Sequence, residues 1–252
     1  MMPTKSILKN SLKALLATAA LVAGPALAST HALPYSFTPD TGNLASVQRG
    51  ARNYMSYCSG CHSMRHLRYS RMAQDLQIPE DLLKANLMFT SDKVGDHILS
   101  AMPSDAAKNW FGQPPPDLTL EARYRGADWV YSYLLSFYVD SSRPLGTNNL
   151  VLPNASMPNV LWELQGLQVE KTAAHEGEAA HHEGSPFEAV TQGKLSAEEY
   201  QKWVADTANF MAYAAEPGRA QRVSTGFKVL LFLFVFTILA YLMKREWWRD
   251  VH

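Results

Sequence analysis

The sequence predicts a mostly α-helical domain with irregular wrapping segments and one transmembrane helix at its C-terminal end. Three observations carry that prediction. Apolar residues recur at helical spacing in several windows, and Pro- or Gly-containing stretches separate those windows. The run from Ser224 to Met243 is almost wholly apolar, and about 20 such residues suffice to cross a bilayer as a helix. The chain's only two cysteines fall together in Cys58-Ser59-Gly60-Cys61-His62, at the end of one helical window.

Composition bounds the function. The formal net charge is zero, so no basic patch of the kind that binds nucleic acid stands out, and no nucleic-acid partner is expected. Hydrophobic residues make up 47% of the chain, enough for a packed core. Setting aside the terminal segments described next leaves roughly one domain's worth of chain.

Residues 1–28 read as a secretory signal peptide. Lys5, Lys9 and Lys13 supply positive charge, Leu15 to Val22 form a short apolar run, and Ala26-Leu27-Ala28 is a small-residue cleavage site, so the mature chain would begin at Ser29. Residues 29–220 then form the exported domain. Residues 31–43 look extended, with Pro34, Pro39 and Gly42, and Asn43 is a plausible N-cap. Val47, Ala51, Tyr54, Met55 and Cys58 lie at helical spacing, so this helix carries the cysteine motif at its C-terminal end. Tyr54, one turn before Cys58, would lie close to whatever the cysteines hold. Residues 63–78 are basic and polar, with Arg65, His66, Arg68 and Arg71. Pro79 suits a first helical position and leads a helix to Leu87. Ser91 can cap a helix over Asp92 to Ala101, and Ser104 can start another to Trp110. Pro114-Pro115-Pro116-Asp117-Leu118 is a stiff, non-helical wall. Arg123 and Arg125 follow, then a helix over Asp128 to Val139. Residues 140–160 are irregular and contain Met157-Pro158; a long loop in a compact domain is usually functional. Residues 163–188 collect Glu163, Glu170, Glu176, Glu178, Glu183 and Glu188 with His175, His181 and His182, and read as a flexible acidic insertion. Ser196 and Glu199 form a capping box for an amphipathic helix that Pro217 ends. Residues 221–244 are the anchor helix, with Lys228 able to snorkel and Trp247 and Trp248 placed for an interfacial belt; 245–252 form a short tail. Lys and Arg flank both ends, so charge does not orient the span. Export of residues 29–220 does, and it leaves the C-terminus in the cytoplasm.

C-x-x-C-H is the attachment pattern of a c-type haem, with two thioether bonds and the adjacent His as an axial ligand. A thioredoxin-like pair would need a βαβ context, which is missing here. A zinc site would need more ligands than two thiols and one imidazole. A plain disulfide leaves His62 unexplained. The expected cofactor is therefore one haem c on Cys58 and Cys61, with His62 on the metal. For the second axial position, a thioether would suit electron transfer. Met102 and Met157 both lie in downstream loops and both precede Pro; spacing alone does not separate them.

Several blocks together resemble the cytochrome c1 family, the haem subunits of ubiquinol–cytochrome c reductase (bc1) complexes. They are Arg49-Gly50 and Tyr54 ahead of Cys58 to Met64, Pro115-Pro116-Asp117-Leu118, Arg123-x-Arg125, Gly126-Ala127-Asp128, Met157-Pro158, Ala214-Ala215-Glu216-Pro217 and Met243-Lys244-Arg245. The resemblance covers residues 35–252. It implies a cytochrome c-like haem domain, Met157 rather than Met102 as the axial thioether, Arg125 with Arg123 beside it at a haem propionate, and Trp129 as an aromatic at the haem edge. It further implies an electron-transfer subunit rather than a bond-making enzyme. Such a subunit accepts an electron from a Rieske iron–sulfur protein and passes it to a soluble or membrane-tethered c-type cytochrome. Cytochrome b and membrane lipid complete the expected partners, in a dimeric bc1 complex of the bacterial inner (cytoplasmic) membrane with the haem domain in the periplasm. The alternative is a free-standing anchored c-type cytochrome feeding a terminal oxidase or reductase. The chain departs from the family's pattern in being shorter between the haem motif and the Pro-rich wall than mitochondrial members, and in its 163–188 insertion.

Overall fold

The computed structural model describes residues 33–171 and 185–249. The expected signal peptide, the His-rich part of the acidic insertion and the last three residues lie outside the described residues.

The domain is built on two crossed helices. Helix α1 (Leu44–Tyr57) begins at Asn43, whose side-chain oxygen accepts from the Ser46 amide at 3.1 Å, satisfying one of the free N–H groups of the first turn. Helix α8 (Ala197–Ala215), near the other end of the chain, begins in the expected capping box of Ser196 and Glu199. The two pack most extensively of all element pairs. Val47, Ala51, Tyr54 and Met55 of α1 meet Val204, Ala208 and Phe210 of α8, all buried. Glycine is required at the crossing: a Cβ on Gly50 would lie 2.0 Å from the Asp206 carbonyl oxygen. Around it Asp206 accepts from Ser46 Oγ at 2.6 Å and from Arg49 Nε at 2.6 Å. The Arg49-Gly50 dipeptide thus lets the helices approach and then pins them.

Between these helices, among the described residues, the chain alternates short helices with three two-stranded antiparallel sheets. Strand β1 (Met64–Arg68) leads into α2 (Tyr69–Asp75), and α3 (Glu80–Asn86) follows Pro79. The helix expected over Asp92 to Ala101 does not form. Ser91 instead closes a turn, its hydroxyl donating to Asp96 Oδ2 at 2.6 Å and accepting from the Lys93 amide at 3.1 Å. The chain then runs as β2 (His97–Ile98) beside β1. A serine that bonds its own loop in this way competes with helix formation. Helix α4 (Ser104–Phe111) ends at Gly112, which is left-handed at φ 81°. After the Pro-rich wall come the single turn α5 (Glu121–Tyr124) and α6 (Ala127–Leu135). The helix expected to reach Val139 stops four residues earlier, and β3 (Phe137–Val139) pairs with β4 (Thr147–Asn149). Phe137 and Val139 are β-formers that gain more from this hairpin than from another helical turn.

The stretch expected to be a flexible insertion from residue 163 is structured at both ends. Helix α7 (Trp162–Gln165) and the pair β5 (Gln168–Glu170) and β6 (Phe187–Ala189) form its stem. Helix α9 (Arg219–Trp247) follows α8 after a short break. Within it Gln221–Trp247 has a mean hydropathy of 2.2 over its most apolar window, and none of that window is buried in the domain. A helix of this length rises about 40 Å at 1.5 Å per residue, more than the ~30 Å hydrocarbon core it would cross. Lys244 lies over the Trp248 ring at 6.0 Å, at the end where an interfacial anchor belongs.

Candidate haem site

Helix α1 does not stop abruptly at the cysteines. The Cys58 and Ser59 amides both bond to the Tyr54 carbonyl, at 2.8 and 3.0 Å, and the Cys61 and His62 amides both bond to the Cys58 carbonyl, at 3.1 and 2.9 Å. The motif is therefore one further closed turn, locked by Ser59 Oγ donating to the Met55 carbonyl at 2.7 Å. Cys58 and Cys61 are both free thiols and partly exposed. Burial, and then the neighbouring Cys61, push the Cys58 thiol up to about 12.

His62 Nδ1 lies 2.8 Å from the Pro116 carbonyl oxygen. A carbonyl only accepts, so Nδ1 carries the proton and Nε2 is left as the free lone pair. Burial lowers the pKa of His62, while the Pro116 hydrogen bond and the charges of Asp117 and Glu121 act the other way. The imidazole is thus neutral, oriented and able to ligate through one nitrogen. Tyr54 is fully buried, and its hydroxyl donates to the His62 carbonyl at 2.7 Å. Its place is behind the motif, fixing the backbone of His62. The Pro-rich wall lies along the motif's exit: the Leu118 amide bonds to the Ser63 carbonyl at 2.9 Å.

The structure separates the two arginines. Arg125 donates from Nε to Glu121 at 2.5 Å, and its guanidinium lies 4.3 Å above the Trp129 ring, which stacks in turn on Tyr133 at 5.0 Å. Arg123 turns away to Glu216, 3.7 Å distant, whose other oxygen takes Arg222 at 2.6 Å. On a helical turn, residues two apart face nearly opposite sides. Arg125 closes α5 and Trp129 lies in α6; the break at Gly126, φ 101°, brings the guanidinium over the ring. Arg123 is paired instead with Glu216, at the junction of α8 and α9.

Met157 is half-buried and packs against the core. Met102 follows a segment tied to the cysteine loop: its amide donates to Ser100 Oγ at 3.1 Å, and that hydroxyl donates to the Gly60 carbonyl at 2.7 Å. The Ser100 amide further bonds to Ser63 Oγ at 2.8 Å. This serine clamp on the cysteine loop was not foreseen, and nothing in the local sequence marks it. Asp117 and Thr119 were also missed as a pair, although Asp-x-Thr after a proline is the pattern of an Asx turn. Arg65, His66, Asp117, Leu120, Glu121 and Tyr124 line an open groove of about 470 Å³ beside this segment. Among the described residues no three His, Cys, Asp or Glu side chains converge as a metal site. Two thiols on one turn, with an imidazole whose Nδ1 is already committed, fit a haem c.

The family model described as "Cytochrome C1 family" matches residues 36–251. The chain is 46% identical to the cytochrome c1 of Allochromatium vinosum, over 95% of this chain and 99% of that one. It is 41% identical to a protein of Nitrosomonas europaea named ammonia monooxygenase gamma subunit, over 84% of this chain and 86% of that one. It is 30% identical to the cytochrome c1 of Rhodospirillum rubrum, over 81% of each. With nearly its whole length matched and the attachment turn intact, the chain belongs to the cytochrome c1 family, whose members carry covalently attached haem c.

Proposed function

We propose that the chain is the electron-transfer subunit of a ubiquinol–cytochrome c reductase, taking electrons from a Rieske iron–sulfur protein and giving them to a c-type cytochrome. The observation that carries this reading is the turn at Cys58–His62, with one imidazole nitrogen spent on Pro116 and the other free. Cys58 and Cys61 would hold haem c by thioether bonds, and His62 and Met157 would be its axial ligands. When bound, the haem supplies a one-electron ferric/ferrous couple whose potential a thioether ligand raises. Arg125, stacked on Trp129, would face a propionate, exchanging part of its bond to Glu121 for a second carboxylate. Tyr54 fixes the His62 backbone, and Ser100 ties the cysteine loop to the segment bearing Met102. Met157 would be the second ligand, as the resemblance implies, with the Met102 segment fastened to the cysteine loop through Ser100.

Helix α9 would anchor the domain in the bacterial inner membrane, with residues 29–220 in the periplasm and 245–252 in the cytoplasm. Cytochrome b and the Rieske protein would be its neighbours in a dimeric complex. The experiment is purification from membranes through a tag on this chain. Co-purification of cytochrome b and a Rieske protein, with electron flow from ubiquinol to a c-type cytochrome, is the expected result. The name of the Nitrosomonas relative supports a second reading, in which the same anchored haem domain serves another membrane assembly; recovery without cytochrome b would favour it.

A further inference from the structure

The segment after the Pro-rich wall runs alongside the segment after the cysteine turn, and side chains as well as backbone join the two. In order, His62 Nδ1 donates to the Pro116 carbonyl at 2.8 Å and the Leu118 amide to the Ser63 carbonyl at 2.9 Å. The Arg65 amide then donates to Asp117 Oδ2 at 2.8 Å, and the His66 amide to Thr119 Oγ at 3.3 Å. Asp117 takes part on both sides. Its Oδ2 also accepts from Arg65 Nε at 3.2 Å, and its Oδ1 accepts from the Thr119 amide at 3.0 Å and the Thr119 hydroxyl at 2.5 Å.

Two consequences follow from one side chain. Pro116 has a fixed φ, so the aim of its carbonyl depends on how the following peptide is held, and Asp117 holds it from both ends. The carboxylate is also mostly buried, at 17% side-chain exposure, whereas its partner Arg65 is 62% exposed. Its charge is less screened by water than that of the arginine meant to balance it. Glu121 lines the same groove but is paired to Arg125.

We propose that Asp117 is a positioning residue for the proximal histidine, holding the Pro116 carbonyl on His62 Nδ1 and lowering the reduction potential of the haem by placing a mostly buried negative charge close to the imidazole. Negative charge there stabilises the ferric state over the ferrous one. The ion pair gives the proposal a signature that loosened structure does not share: removing either partner shifts the potential, in opposite directions. The proposal rests on His62 being an axial ligand of a covalent haem, as argued above.

The test is a redox titration of the purified membrane complex, with haem staining of the denatured chain as a separate control. Asp117→Asn, which keeps the shape and an acceptor oxygen, should raise the midpoint potential at full haem occupancy. Asp117→Glu, which restores the charge, should lie nearer the parent. Arg65→Gln, which leaves the backbone bond to Asp117 intact, should lower it. An unchanged or lowered potential in haem-loaded Asp117→Asn would overturn the proposal. If that variant fails to take up haem, Arg65→Gln decides: a lowered potential supports the proposal, and an unchanged or raised one ends it. A parent chain that does not stain would overturn the haem reading itself, and the proposal with it.

Discussion

The two segments that carry the expected axial ligands are held in different ways. On the His62 side the ligand ring itself is fastened: Nδ1 bonds to Pro116, the residue's carbonyl accepts from Tyr54, and its amide closes the cysteine turn. On the Met157 side the polar order stops short of the side chain. Asn149, fully buried, donates to the Tyr133 carbonyl at 2.8 Å and accepts from the Val151 and Leu152 amides at 2.9 and 3.1 Å. Asn148 accepts from the Asn154 amide at 2.8 Å. These asparagines shape the loop, and the thioether is left to packing. The difference follows from chemistry. An imidazole has a second nitrogen by which a protein can aim it, whereas a thioether is a weak acceptor with nothing to donate. A histidine ligand can be set atom by atom, but a methionine ligand is set only through its loop.

The largest effect should come from removing the thioether. Met157→Ala should abolish the long-wavelength absorption band of a sulfur-ligated ferric haem. It should also drop the potential by more than about 59 mV, a tenfold change in a one-electron equilibrium; Met102→Ala should do neither. The reverse pattern would move the second ligand to the wrong loop and dissolve the comparison. Next in size is the helix crossing that supports the His62 side. Gly50→Ala forces a methyl group into the Asp206 carbonyl and should cost about 3 kcal/mol or more, read as a fall in thermal midpoint of the haem domain. Asn149→Ala leaves two loop amides and the Tyr133 carbonyl without their partner. It should cost about 2 kcal/mol and weaken Met157 ligation, with His62 untouched. Loss of stability with an unchanged Met band would show that the asparagine does not govern the ligand. The smallest effect belongs to Ser196→Ala, which removes a cap worth about 1 kcal/mol and should leave both spectra and potential alone.

The fold was most legible where local chemistry decides. Asn43, the Ser196–Glu199 box and the apolar run of α9 all do in the structure what their residue types imply. It was least legible where a few residues pair across the chain. The two-residue β2 draws its stability from β1, some thirty positions earlier in the chain, and no window around His97 records that. The end of α6 was missed because Phe137 and Val139 fit a helical stripe as well as a hairpin. The site divides in the same way. The cysteine turn could be read directly, since its spacing is its chemistry. The bond from His62 to Pro116 joins residues 54 positions apart, and nothing in either segment announces the other. Arg123 and Arg125 fall between these cases: the resemblance put them side by side, and their ion pairs run to different partners, Glu216 and Glu121.

The central claim is that Cys58 and Cys61 hold haem covalently in a chain assembled with cytochrome b and a Rieske protein. Haem staining of the denatured complex, purified from membranes by a tag on this chain, tests it most directly. A stained band at the mass of this chain, accompanied by those two proteins, is the predicted result. An unstained chain, or a stained chain recovered without them, would contradict it.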